Sequence, residues 1–88
     1  MMHVVRIPGP LRSYTHEAPQ VSARGNTLLE LLAELERAYP GMRFRIIDEQ
    51  ERIRPHIRIF VNTRETATLA TALAAGDEVH LICALSGG

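Results

Sequence analysis

The sequence predicts a two-layer α+β domain, in which one amphipathic helix lies across one mixed β-sheet. Leu28, Leu31, Leu32, Leu35 and Tyr39 recur at helical spacing and make a single apolar stripe. Apolar, β-branched segments stand near the two ends of the chain, at His3–Pro8 and Glu78–Ala84. The length of 88 residues suffices for one core and not for two. A helix with one apolar stripe needs one sheet to cover it. Pairing the two terminal segments in parallel, with the helix crossing the sheet between them, is the compact way to supply that sheet.

Taken in order, Val4, Val5 and Ile7 make His3–Pro8 the first strand, broken by Pro8-Gly9-Pro10. Leu11–Thr15 is expected to pair back as part of a hairpin, with a loop at His16–Pro19. Gln20–Ala23 is a short second strand ended by Gly25. Thr27-Leu28-Leu29-Glu30 then matches a capping box, in which a hydroxyl and a carboxylate three residues apart satisfy orphan amides at a helix start. Glu30, Glu34 and Arg37 fill the polar side of that helix, and Pro40-Gly41 stops it.

Met42–Asp48 fits either a strand or a short irregular helix, and Asp48–Glu51 is a polar turn. Arg52-Ile53-Arg54 reads as a short strand before Pro55. His56–Asn62 alternates, with Ile57, Ile59 and Val61 on one face and Arg58, Phe60 and Asn62 on the other. Asn62–Glu65 is a turn, Thr68–Leu73 holds a single helical turn, and Ala75-Gly76-Asp77 turns tightly into the last strand. There Val79, Leu81 and Cys83 alternate with His80 and Ile82. The result is a β-grasp, or ubiquitin-like, architecture: a mixed four- to five-stranded sheet on one main helix, spanning residues 1–84. Residues 85–88, Leu-Ser-Gly-Gly, follow as a flexible tail.

Composition narrows the function. Formal charge is zero, so no strong field draws the chain to nucleic acid or to an anionic membrane. All ten basic residues are arginine, so no side-chain amine is available for acylation. Cys83 is the single cysteine, which excludes an internal disulfide and fits a reducing cytoplasm. No stretch has the length of a membrane-spanning helix, and no basic-then-apolar leader opens the chain. The histidines have no metal-ligand spacing with one another or with Cys83, and Cys83 is expected on the buried face as an inert small side chain. Neither a nucleophile elbow nor a Gly-rich phosphate loop is present. The chain reads as a non-enzyme without a bound cofactor.

The chemistry-bearing feature is Gly87-Gly88. Two residues without a Cβ can thread a narrow channel and present an unhindered acyl carbon. That points to chemistry performed on the chain rather than by it. Ile59-Phe60-Val61-Asn62, Leu73-Ala74-Ala75-Gly76-Asp77-Glu78-Val79 and Leu85-Ser86-Gly87-Gly88 together resemble the MoaD/ThiS family of sulfur carriers. Ile7-Pro8, Leu11-Arg12, Thr27-Leu28 and Tyr39-Pro40-Gly41 extend the resemblance over nearly the whole chain. The Arg52–Pro55 insert and the length look most like carriers that supply sulfur for cysteine synthesis, whereas Ile82–Leu85 stands where many molybdopterin-type members have prolines.

The resemblance implies that Gly88 is adenylated with ATP by an E1-like adenylyltransferase of the MoeB/ThiF type and converted to a thiocarboxylate. Gly87, Ser86 and Leu85 would serve tail recognition, with Ser86-Gly87-Gly88 added to the partner as an extended strand and Leu85 anchored in an apolar pocket. A sulfur-accepting biosynthetic enzyme is implied, with a rhodanese-like donor or a metal-dependent peptidase as further partners. Phe60, His80 and Ile82, bordered by Arg58, are expected to form a partner-binding patch on the exposed sheet face. The same tail would serve a small subunit of molybdopterin synthase or a ubiquitin-like modifier, and a β-grasp adaptor with an incidental Gly-Gly is the blandest alternative.

Overall fold

Leu28, Leu31, Leu32 and Leu35 fall on one stripe of helix α1 (Leu28–Ala38), and each is wholly shielded from solvent. Thr27 caps the helix: its Oγ1 accepts a hydrogen bond from the Glu30 amide at 3.2 Å, and Glu30 Oε1 accepts one from the Asn26 amide at 2.8 Å. The carboxylate thus reaches one residue further back than in the ideal capping box. The computed structural model describes residues 2–84, and the Leu85–Gly88 segment lies outside the described residues.

Five strands receive the leucine stripe: β1 (Met2–Arg6), β2 (Gln20–Arg24), β3 (Ile57–Val61), β4 (Arg64–Thr66) and β5 (Glu78–Cys83), in the order β2-β1-β5-β3-β4. β1 and β5 pair in parallel with Val5 beside Val79, and β5 pairs antiparallel with β3, placing Ile59 beside Leu81. This is the β-grasp arrangement, with the first and last strands adjacent in mid-sheet. Val5, Ile7, Ile57, Ile59, Val79 and Leu81 face α1, and Met42, Ile46 and Ile47 close the core. Each such side chain contributes about 1.5–3 kcal/mol on burial, so the stripe and the inner sheet face hold the two layers together.

Four segments depart from the sequence reading, and a fifth settles a choice that the sequence left open. Leu11–Thr15 does not return as a strand; Gly9–Thr15 forms a 3-10 helix. Pro10 supplies a preset φ at its first turn, Leu11 is buried, and Arg12 Nε donates back to the Ile7 carbonyl at 3.0 Å. Met42–Ile46 is a short helix, α2, resolving the open choice there. Its N-terminal amides are satisfied by the Glu36 carboxylate, which accepts from Gly41 and Arg43 at about 3.0 Å. Gly41 takes φ +96°, a conformation that suits glycine, with the Tyr14 ring against it.

Arg52–Arg54 forms no strand beyond a single bridge from Ile53 to Ile47. Arg64 and Glu65, read as the end of a turn, belong to the edge strand β4, with Asn62 at φ +57° beginning the reversal from β3. Thr68–Leu73 contains no helix, only a hydrogen-bonded turn in which the Thr71 amide donates to the Thr68 carbonyl at 3.4 Å. Its Leu69 and Thr71 carbonyls instead accept from the Leu29 and Leu28 amides at 3.0 and 3.1 Å, supplying partners that the start of α1 lacks.

Gly25, which is buried, packs directly under α1: a Cβ built there would sit 2.7 Å from the Leu31 backbone nitrogen and 2.9 Å from its Cα. Those atoms cannot move without moving the helix. Gly25→Ala is therefore expected to cost about 1–3 kcal/mol, the usual range for overpacking, read as a lowered urea midpoint.

Candidate functional site

β5 runs through mid-sheet, held by β1 on one side and β3 on the other, and delivers the chain to residue 84. Ala84 donates its amide to the His56 carbonyl at 2.7 Å, so the point from which residues 85–88 continue is anchored to the loop before β3. At the strand's other end, Asn62 binds its start: the Asn62 amide donates to the Glu78 carbonyl at 2.7 Å, and Oδ1 accepts from the Glu78 amide at 3.0 Å. The tail assignments to Leu85, Ser86, Gly87 and Gly88 lie outside the described residues.

The outer face of the sheet carries the four patch residues. Alternation along β3 and β5 buries Ile57, Ile59, Val79 and Leu81, and so turns Arg58, Phe60, His80 and Ile82 away from α1. Phe60 lies directly opposite His80, and Arg58 opposite Ile82, across the antiparallel ladder. Ile82 is 43% exposed. Charges frame the two apolar side chains: Arg58 pairs with Glu65 at 3.0 Å, His80 Nε2 sits 3.4 Å from Glu78, and Glu78 sits 3.6 Å from Arg6. These pairs are largely solvated, so they define the patch border more than they stabilise the fold.

A groove absent from the sequence reading opens beside the end of β5. Leu11, Tyr14, Arg45, His56, Cys83 and Ala84 line it. Arg45 Nε donates to the Tyr14 hydroxyl at 2.6 Å, which sets the guanidinium 5.7 Å from the Tyr14 ring centre. These residues come from the 3-10 helix, α2, the loop before β3 and the end of β5. Nothing in their sequence spacing announces the meeting, because it depends on the two helical segments that the sequence left open or misread.

Cys83 points inward and is half-buried, and burial pushes its thiol above the usual range. A thiol held protonated is a weak nucleophile. Alkylation of Cys83 at neutral pH is expected to run slower than that of a free cysteine and to accelerate as pH rises, measured by the rate of iodoacetamide adduct formation. Asp77, in the turn before β5, is held below the ordinary carboxylate range by the Ala74 amide, then by the Asn62 side-chain amide, with a smaller effect of His3. Its lowered value means that the turn's contribution is present at neutral pH and is lost as pH falls through that value. Among the described residues no helix is long and apolar enough to cross a membrane.

Comparison with known proteins matches this arrangement to one group. The profile described as "ThiS family" matches residues 5–88. The chain is 38% identical over 89 residues to the sulfur carrier protein CysO of Mycobacterium tuberculosis, covering 96% of each chain. The crystal structure of M. tuberculosis CysO superposes with a TM-score of 0.87 at 34% identity, over 93% of this chain and 98% of that one. CysO in the Amycolatopsis orientalis BexX/CysO complex gives a TM-score of 0.89 at 30% identity, over 97% and 98%. Small archaeal modifier protein 3 of Haloferax volcanii is 37% identical over 65 residues, 70% of each chain.

Proposed function

The chain belongs to the ThiS family of ubiquitin-like sulfur carriers, and from that membership we propose the chemistry it undergoes at Gly88. The protein is a carrier and not an enzyme. The observation that carries the proposal is the placement of β5: the central strand leads without interruption toward Leu85-Ser86-Gly87-Gly88, inside the region matched by the family.

An ionised carboxylate is a poor electrophile. Attack of the Gly88 carboxylate oxygen on the α-phosphorus of ATP forms an acyl-adenylate and releases pyrophosphate. Hydrosulfide then adds to the acyl carbon and AMP leaves, so one carboxylate oxygen departs with AMP and one sulfur takes its place. The thiocarboxylate is a soft nucleophile that a second enzyme can draw on for cysteine or another sulfur-containing metabolite. ATP is consumed by an E1-like adenylyltransferase, and the carrier needs no cofactor of its own. The small, unbranched end suits a narrow channel in that partner, Ser86-Gly87-Gly88 suits capture as an added strand, and Leu85 suits an apolar pocket. The free Cys83 fits residence in a reducing cytoplasm.

The test is incubation with ATP, sulfide and the activating enzyme, followed by intact mass. The protein is expected to gain the mass difference between sulfur and oxygen, only when ATP is present. An unchanged mass, with an enzyme shown to load a related carrier, removes the proposal.

A relative occurs in complex with BexX, which supports docking of this chain onto a larger protein. We assign that docking to Phe60, Ile82, His80 and Arg58, because the outer face presents an aromatic and an exposed aliphatic side chain inside a polar border. Phe60→Asp is expected to weaken binding to the activating enzyme by about 30-fold or more, the effect of losing one anchoring residue. Binding calorimetry reads it, and an unaltered urea midpoint shows that the fold survives.

The similarity to a small archaeal modifier protein favours a second role, transfer of the acyl group to amines of other proteins. Because the chain has no lysine, adducts are expected to be single additions and not chains built carrier upon carrier through side chains. Mass spectrometry of adducts formed in cells checks the expectation.

A further inference from the structure

Helix α2 buries Met42 and Ile46, and at about 100° per residue this turns Phe44 outward, with Arg43 and Arg45 on its flanks. Phe44 is 57% exposed. Its ring is nonetheless held: the Arg54 guanidinium lies over it, 4.4 Å from the ring centre, and Arg54 Nε donates to the Phe44 carbonyl at 2.6 Å. On the other flank the Tyr14 hydroxyl accepts from Arg45 Nε.

These two arginines differ from most of the others. Arg6, Arg37, Arg43, Arg52 and Arg58 each pair with a carboxylate within 4.0 Å, whereas Arg45 and Arg54 have no such partner among the described residues. The acids that follow α2 are already engaged, Asp48 by Arg52 and two backbone amides, and Glu51 by Arg43. Arg54 Nη2 is shielded from solvent and meets no acceptor among the described residues. The fold thus fixes two guanidinium groups beside an exposed aromatic ring and leaves their charge unanswered. Tyrosine, phenylalanine and arginine are the side chains that concentrate at protein interfaces, and groups already held in place lose little freedom on docking.

We propose that Tyr14, Phe44, Arg45 and Arg54 form a second docking surface, which receives an acidic segment of the enzyme that activates the tail. The inference rests on the carrier reading above.

Charge complementarity selects the chemistry of the partner. The groove that Arg45 shares with the end of β5 has no acidic residue in its lining. A carboxylate arriving beside Phe44 meets fixed guanidinium donors, and an apolar neighbour of that carboxylate meets the ring. Continuity selects the partner itself. Ile82 belongs to the outer sheet face, while Cys83 and Ala84 line the groove, so the chain leaves β5 between the two surfaces. An enzyme that seats on Phe60 and Ile82 and encloses the chain beyond Ala84 therefore comes against Arg45 as well. The sheet patch supplies apolar anchorage; the strip on α2 adds charge, which acts on encounter rate and partner choice.

Arg45→Glu and Phe44→Ser test this, with affinity for the activating enzyme read by calorimetry. Each is expected to weaken binding by about 10-fold or more. Raising salt from about 0.05 to 0.5 M shortens the screening length about threefold, so parent binding is expected to weaken and Arg45→Glu to lose that dependence. Arg37→Glu makes the same charge change on α1 and is expected to leave affinity nearly unaltered. Phe44 and Arg45 are both exposed, so the urea midpoint is expected to hold in their variants. Parent-like affinity in Arg45→Glu and Phe44→Ser overturns the proposal. An equal loss in Arg37→Glu, or a loss seen only with the sulfur-accepting enzyme, overturns it too. Intact mass keeps the carrier reading separate: strip-dependent binding without an oxygen-to-sulfur exchange in the parent chain overturns that reading and leaves the docking surface standing.

Discussion

Deleting Gly88 is expected to reduce sulfur loading by at least 100-fold while leaving the urea unfolding midpoint unchanged. The shortened chain still ends in a glycine carboxylate, at Gly87, so the functional group is conserved and only its reach changes. One residue spans about 3.3–3.6 Å of extended chain. Displacement of a reacting group by as little as 1 Å can cost about 100-fold when catalysis depends on holding two reactants in line. The loss therefore measures how strictly the activating enzyme gauges distance from the folded body to the acyl carbon. Stability is indifferent to the change because the core extends from Val5 to Leu81. Gly88→Ala is the informative companion: it restores length, adds one methyl beside the acyl carbon, and is expected to load more slowly than the parent but better than the deletion. The readout is the fraction converted, by intact mass, at fixed time and enzyme concentration.

The largest stability effect is expected at the leucine stripe. Leu32→Ala removes a wholly buried side chain from the interface between α1 and the sheet. Deletions of this kind cost about 2–5 kcal/mol, the spread reflecting how far the surroundings collapse into the space. At about 0.05–0.15 kcal/mol per residue, a chain of this size has on the order of 4–13 kcal/mol in total. The substitution thus removes a large fraction of the folding free energy. It is expected to lower the urea midpoint without altering the slope of the transition, and an exposed control on the same helix, Arg37→Ala, is expected to change it little.

These outcomes follow from parts of the chain that differ in how openly the sequence announces them. The stripe of α1 and the alternation of β3 and β5 were legible because each is a local period tied to one burial direction. Leu31 and Leu35 fix the helix face, and Ile59 and Leu81 fix which side of their strands points inward. Once that facing is set, Phe60, His80 and Ile82 are placed on the outer side by geometry alone. The parallel pairing of β1 with β5 was legible as the way to cover one helix with both apolar ends of the chain.

What the sequence concealed depends on distant partners. Leu11–Thr15 has the composition of a strand, yet Pro10 at its start and the burial of Leu11 favour the 3-10 helix. α2 is stabilised by a carboxylate from the preceding helix, Glu36, five residues before Gly41; the acid ahead of the Pro-Gly break is the signal that could have revealed it. β4 is a short edge strand with little apolar pattern, defined by its pairing to β3. Leu69 and Thr71 gain their role from the amides of α1, forty residues earlier in the chain. The groove holding Tyr14, Arg45 and His56 inherits these gaps, and so does the burial of His3, whose partners lie at Gly25 and Asp77.

The carrier chemistry stands or falls on where sulfur resides in the loaded protein, because the chain offers two places: the Gly88 acyl group and the Cys83 thiol. Fragmentation mass spectrometry of the C-terminal peptide locates it. The account predicts that one oxygen-to-sulfur exchange maps to Gly88, with Cys83 unmodified and the same loading in Cys83→Ala. An added sulfur atom on Cys83, with Gly88 unchanged, would contradict it.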